Sequence, residues 1–202
     1  MSGPTDLAEL ADAIAGCTAC ELYQDATQAV AGRGAANAPL MLVGEQPGDR
    51  EDLEGEPFVG PAGRLLDRAL DDAGIAPEQV YITNIVKHFR FVRQGKRRLH
   101  KSPAVRHVEA CSPWLATELA TVAPDGVVLL GGTAGKALYG TSFRVGEARG
   151  RLGEWPQERL ALAEPPWVLA TTHPSAVLRE RGDRAAAYDA LVADLRTAAA
   201  AL

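Results

Sequence analysis

The chain has 202 residues, 47% of them hydrophobic, and a net charge of −5, which suits one α/β domain with a full core. Its apolar runs are short, which excludes a membrane span, and MSGPTDLAEL lacks the charged-then-apolar order of an export signal, so a cytoplasmic location is expected. The segment Lys87–His107 holds eight of the 21 Lys/Arg and three of the four His with no acid, leaving 13 basic against 26 acidic residues elsewhere; such a local excess suggests contact with a phosphate backbone at one place, not diffuse polyanion binding.

Thr5 to Ala15 has helical periodicity and an acidic start, and it runs into the pair Cys17 and Cys20 of CTAC. PLMLVG, from Pro39 to Gly44, is a short apolar run bounded by Pro and Gly, as expected of a buried parallel strand. A polar loop with Gly and Pro punctuation follows (EQPGDREDLEGEPFVGP), then a helix over Ala62–Ala73 and a second strand over Val80–Val86. Beyond the basic stretch KHFRFVRQGKRRLHKSP the pattern predicts a helix over Pro103–Thr121, a strand over Gly126–Leu130, and a short helix near Thr133–Leu138. A fourth strand, Trp167–Thr171, leads into THPSAVLRE, and Asp183–Leu202 reads as a closing Ala-rich helix. No linker or repeat divides residues 1–202, so the expectation is a single three-layer αβα domain around a mainly parallel four-stranded sheet.

In such sheets ligands bind outside the carboxyl ends of the strands, where GEQPGD, Asn84–His88 and THPS converge. GEQPGD offers backbone amides, the carboxylates of Glu45 and Asp49, and the amide of Gln46, although Gly-Pro turns after strands are also common structural devices. Neither this loop nor GGTAGKAL, Gly131–Leu138, has the spacing of a nucleotide-phosphate loop, which excludes an NTPase of that kind. His173 ends a buried strand, and Asn84 either caps its strand or presents the paired donor and acceptor that reads a nucleobase edge. Phe89 and Phe91 alternate with charges, which fits a strand edge and a base-stacking platform equally well. Three cysteines cannot all pair, and in a reducing compartment Cys17, Cys20 and Cys111 favour a metal site. With a histidine, they suit zinc or an iron-sulfur cluster equally on spacing.

The ordered set of CTAC, GEQPG, EPFVGPAGRLLD, VYITNIVKH, CSPWL and HPSAVLR, from Cys17 to Arg179, resembles the uracil-DNA glycosylase superfamily. Within it the chain is most similar to the iron-sulfur family-four enzymes and to their UdgX type. Two features carry the latter: His88 stands where family-four enzymes have a cysteine, and KRRLH, Lys96–His100, resembles the Lys-Arg-Arg-Ile-His insertion of that type with Leu99 in place of isoleucine.

The resemblance implies a four-iron four-sulfur cluster held by Cys17, Cys20, His88 and Cys111, with zinc the less favoured occupant. It implies excision of uracil from DNA, single strands preferred, with free uracil as product, by a monomer that needs no membrane. Phe58 would stack on the extruded base, Asn84 would bond its Watson-Crick edge, Gln46 with neighbouring amides would meet a carbonyl oxygen, and His173 would donate to O2. His100 would attack the anomeric carbon and remain attached, with Glu45 accepting the released proton and Asp49 orienting water or steadying the loop. Lys96, Arg97, Arg98 and Lys101 would grip backbone phosphates; Arg179 would touch phosphate or lock its turn. His107 matches no motif and reads as a helix-surface residue. The rival expectations are a turnover glycosylase that uses water, and an iron-sulfur or zinc module that binds damaged DNA without cutting it.

Overall fold

The structure, a computed structural model, describes residues 6–158 and 160–202. In chain order the strands are β1 (Arg33–Gly34), β2 (Leu40–Gly44), β3 (Val80–Asn84), β4 (Phe91–Gln94), β5 (Arg97–His100), β6 (Gly126–Leu130), β7 (Leu152–Gly153) and β8 (Trp167–Thr171). The helices are α1 (Leu7–Ala15), α2 (Asp49–Glu54), α3 (Pro61–Ala73), α4 (Val105–Val122), α5 (Gly132–Tyr139), α6 (Val145–Ala148), α7 (Pro174–Arg179) and α8 (Arg184–Ala199). The central sheet has the order β1-β3-β2-β6-β8-β7, and its four inner strands run parallel.

The sheet therefore has six strands where four are expected, because β1 and β7 add antiparallel edges of two residues each. Segments that short leave no periodic pattern to read. The inner strands are buried along their length, as LMLVG and GVVLL predict for a sheet covered on both faces. One face packs Leu66, Leu70, Leu191 and Leu195 of α3 and α8 against Leu40, Leu42 and Val128. The other packs Leu115 and Leu119 of α4 and Leu138 of α5 against Met41, Val43, Val127 and Leu129.

Local chemistry sets the helix ends. Asp6 accepts hydrogen bonds from the amides of Ala8 and Glu9, both at 2.9 Å, and so caps α1; the earlier expected start, Thr5, lies outside the described residues. Pro113 inside α4 cannot donate to the carbonyl of Glu109, and the Ser112 hydroxyl takes that acceptor at 2.8 Å. The loop after β2 contains α2, hidden from pattern reading because its six residues are almost all charged. Glu51 holds that loop shut by accepting from the amides of Gly48 at 3.1 Å and Gly60 at 2.8 Å.

The basic stretch forms a separate two-stranded hairpin, β4 with β5, pairing Phe91 with His100. Gly95 turns it at φ +60°, a conformation that favours glycine. Among the described residues no helix is long and apolar enough to cross a membrane.

Candidate active site

A cleft of about 610 Å³ opens at the carboxyl ends of the parallel strands. Glu45 and Gln46 reach it from the end of β2, Asn84 from β3, Gly131–Thr133 from β6, and His173 with Arg179 from the segment after β8. Phe58 forms part of its wall and His100 stands at it from the end of the hairpin. The junction between β2 and β6 is the topological switch point, since the chain leaves β2 for β3 on one side and returns to β6 on the other.

Phe58 is buried at φ +57°, a left-handed conformation costly for an aromatic residue. The surroundings fix it. A Cβ on Gly63 would collide with the Phe58 carbonyl, so the first turn of α3 lies directly on this backbone. A Cβ on Gly44 would sit 2.4 Å from Asn84 Oδ1 and 2.7 Å from the Phe58 ring, so glycine there lets ring and amide approach. Asn84 Oδ1 is buried and has no partner among the described residues. Such an acceptor is costly to leave bare, by ~1–3 kcal/mol, and Asn84 lines the cleft.

His173 stacks on Phe58 with ring centroids 5.9 Å apart. Its Nδ1 accepts from the Ser175 amide at 3.1 Å, which places the proton of the neutral ring on Nε2. Burial, then the Arg179 and His100 charges, hold its pKa down at about 4. Between pH 6.5 and 4 the unfolded chain would therefore carry a proton here that the folded chain does not, so stability is full above 6.5 and falls as pH drops toward 4. The urea midpoint should decline over that window, and His173→Gln should shrink the decline.

Glu45 and His100 meet across the cleft. Glu45 Oε2 accepts from the Thr133 hydroxyl at 2.5 Å, while Oε1 is buried without a hydrogen bond among the described residues and lies 3.4 Å from His100 Nε2. The His100 side chain is about half exposed.

Much of the positive charge is already spent. Lys87 is wholly buried, bonding Glu118 at 2.6 Å, Thr83 at 2.7 Å and the Asn84 carbonyl at 2.8 Å. Arg106 pairs with Glu21. Arg98 donates to Asp49 at 2.6 Å and to buried Asp52 at 2.5 Å, and its guanidinium lies over the rings of Phe89 and Phe91. Phe89 itself is core, not a platform. Lys96, Arg97 and Lys101 remain exposed with no ion pair to a carboxylate among the described residues.

Gln46 is likewise committed: its amide donates to the carbonyls of Arg90 at 3.1 Å and Lys101 at 3.2 Å, clamping the two ends of the hairpin. Asp49, Gln46 and Arg98 thus act together on the loop that carries His100. Arg98→Met would strand Asp52 as a buried unpaired charge, with an expected cost on the order of 3 kcal/mol. The variant should unfold at lower urea and be cut faster by trypsin at Lys96 and Arg97. Arg98→Lys should recover little, since an ammonium cannot span both carboxylates and both rings.

His107, expected on the helix surface, is buried instead. Its Nδ1 accepts from the Ala104 amide at 3.0 Å and its Nε2 lies 2.9 Å from Glu21. The ring replaces the glutamate or glutamine of a capping box, a substitution that composition alone does not signal. Through Glu21 it ties the Cys17–Cys20 turn to the start of α4.

The three cysteines are unpaired, Cys17 and Cys111 buried and Cys20 partly so. They are near enough for the charges of Cys17 and Cys20 to act on Cys111, whose thiol burial pushes up to about 11. Trp114 of α4 donates to Cys17 Sγ at 3.1 Å, and the Lys87 amide bonds Cys111. His88 is buried and its Nδ1 has no hydrogen-bond partner among the described residues. No group of three His, Cys, Asp or Glu among the described residues is drawn together as for a single metal ion. By donor type, three soft thiols and an imidazole with an unpartnered nitrogen are ligands that an iron-sulfur cluster or zinc accepts.

Residues 31–196 match the family described as the uracil DNA glycosylase superfamily. The chain is 38% identical over 176 residues to the type-4 uracil-DNA glycosylase of Pyrobaculum aerophilum, covering 87% of this chain and 86% of that one. It is 36% identical over 168 residues to the type-4 uracil-DNA glycosylase of Thermotoga maritima, covering 83% and 80%. With that of Archaeoglobus fulgidus it shares 37% over 169 residues, covering 82% and 79%.

Proposed function

This chain belongs to the uracil DNA glycosylase superfamily, and we propose that it excises uracil from DNA and becomes joined through His100 to the sugar left behind. The observation that carries the second half is the placement of His100, held at the cleft by a clamped hairpin with Glu45 Oε1 3.4 Å from its ring.

Excision requires the base out of the stack, negative charge accommodated on the departing ring and positive charge on the sugar. Phe58 stacks on the base and Asn84 bonds its Watson-Crick edge. Cytosine would leave the buried Asn84 amide mispaired, a penalty of ~1–3 kcal/mol. With the Gln46 side chain given to the hairpin, backbone amides of that turn are left to meet the second carbonyl. The His173 ring, neutral and protonated on Nε2, donates to O2 as charge collects there; a donor of this kind is worth ~10² to 10³ in rate.

The glycosidic bond breaks with its electron pair departing on uracil. The lone pair of the neutral His100 ring then forms a carbon-nitrogen bond to the anomeric carbon. The resulting imidazolium loses its remaining N–H proton to Glu45, which orients the ring as the carboxylate does beside a catalytic histidine and, unlike that carboxylate, takes the proton. Asp49 steadies the loop through Arg98. Lys96, Arg97 and Lys101, with Arg179 at the far rim, hold backbone phosphates of a single strand. Cys17, Cys20, His88 and Cys111 would hold a four-iron four-sulfur cluster, which would join the N-terminal turn to the segment opened by His88 and would supply no step at the base.

The test is a uracil-containing single-stranded oligonucleotide incubated with the protein, heated in detergent and run on a denaturing gel, with free uracil measured alongside. A heat-stable shifted band with uracil released supports the reading, and thymine DNA should give neither. Uracil without a shifted band makes this a turnover glycosylase that uses water, and neither product leaves a binding module.

A further inference from the structure

GGTAG, Gly131–Gly135, has no phosphate-loop spacing and no part in the steps above, yet it delivers a side chain to the reacting groups. We propose that Thr133 is a positioning residue that aims the Glu45 carboxylate at His100, an assignment that rests on the capture chemistry just described.

Glu45 follows β2 and Thr133 is the second residue of α5, just beyond β6. The two strands are hydrogen-bonded neighbours, from Leu40 with Gly126 to Val43 with Leu129, so the sheet itself brings the two side chains together. Gly131 makes the turn into α5 at φ +93°, and a Cβ there would sit 2.9 Å from the Cβ of His173. One short segment thus supports both His173 and Glu45.

The geometry divides the carboxylate into two unlike oxygens. Oε2 is bonded at 2.5 Å to the one proton that the Thr133 hydroxyl carries. Oε1 is left buried and bare, 3.4 Å from His100 Nε2. The terminal torsion of a glutamate is broad, so without an anchor the group would turn freely. Thr133 is its only hydrogen-bonding side chain among the described residues. Threonine is β-branched and stiff at χ1, which suits a fixed donor.

Thr133→Val keeps the shape and removes the donor; Thr133→Ser keeps the donor. Adduct formation and uracil release would be timed in single turnover from pH 5 to 9, with unfolding midpoints measured in parallel. Thr133→Val should slow adduct formation roughly ten- to hundredfold, the scale of a misplaced reacting group. It should also change the pH profile of that step, and Thr133→Ser should restore both. In a Glu45→Gln background the valine substitution should add less than about twofold, because Thr133 acts through Glu45. A wild-type adduct rate in Thr133→Val, or losses that multiply in the double variant, would overturn the assignment. Should Thr133→Val fail to fold, Thr133→Ala provides the same deletion. If the wild type releases uracil without any adduct, the capture reading falls and the assignment is judged on release. Thr133→Val as slow as Glu45→Gln would then support it, and a wild-type rate would end it.

Discussion

Replacing His100 with serine is expected to abolish the heat-stable protein–DNA band while free uracil is still released. The groups assigned to excision are carried by other segments: Asn84 ends β3, His173 caps α7, and Phe58 is buried in the turn between α2 and α3. None of them hydrogen-bonds His100. A serine at the same place has neither the lone pair of a neutral imidazole nor its reach, so the bond to the sugar should not form. The smaller side chain also opens space beside Glu45 Oε1, where a water can take the cation instead. Uracil release should therefore change by less than about tenfold, or ~1.4 kcal/mol in barrier. A shifted band that survives in His100→Ser would place the covalent link elsewhere and remove the assigned role of the hairpin.

The second large effect is on stability. Lys87 and Glu118 are both wholly buried, and Glu118 also accepts from the Gly32 amide at 3.0 Å, the Tyr81 hydroxyl at 3.3 Å and the Thr83 hydroxyl at 2.9 Å. Lys87→Met removes the cation and leaves the carboxylate uncompensated among these groups. The expected cost is about 3–5 kcal/mol, and on a chain of this size each kcal/mol lowers the melting temperature by ~2–4 °C. Lys87→Met with Glu118→Gln should recover most of the loss, since a neutral amide still accepts from Gly32 and Tyr81. Equal destabilisation in single and double variants would mean that packing, not charge, sets the cost. Because the Lys87 ammonium also holds the Asn84 carbonyl, the double variant should bind uracil more weakly even where its fold is restored.

Lys87 also illustrates how far a sequence can be read. Within the basic stretch it is indistinguishable from Lys96, yet one is core and the other exposed. The difference lies in Glu118, 31 residues away on α4. Arg98 is separated from Arg97 in the same manner, by Asp49 and Asp52 on a helix too short and too charged to leave a pattern. Of the eight cations counted along the sequence, Lys87, Arg98 and Arg106 are neutralised by partners that only folding supplies.

The sequence by itself determined the four parallel strands and most of the helices, because hydrophobic period and Gly/Pro punctuation are local properties. It also located the three strand ends that meet in the cleft, since a parallel sheet puts its functional loops on one edge. Tertiary structure alone decided which polar side chains are free to act. Gln46 is spent on the hairpin ends, His107 is buried as a cap, and Thr133 is joined to Glu45 across 88 residues of chain. A hydrogen bond is satisfied by whichever partner comes within about 3 Å, and that proximity is set by packing, not by any spacing along the chain.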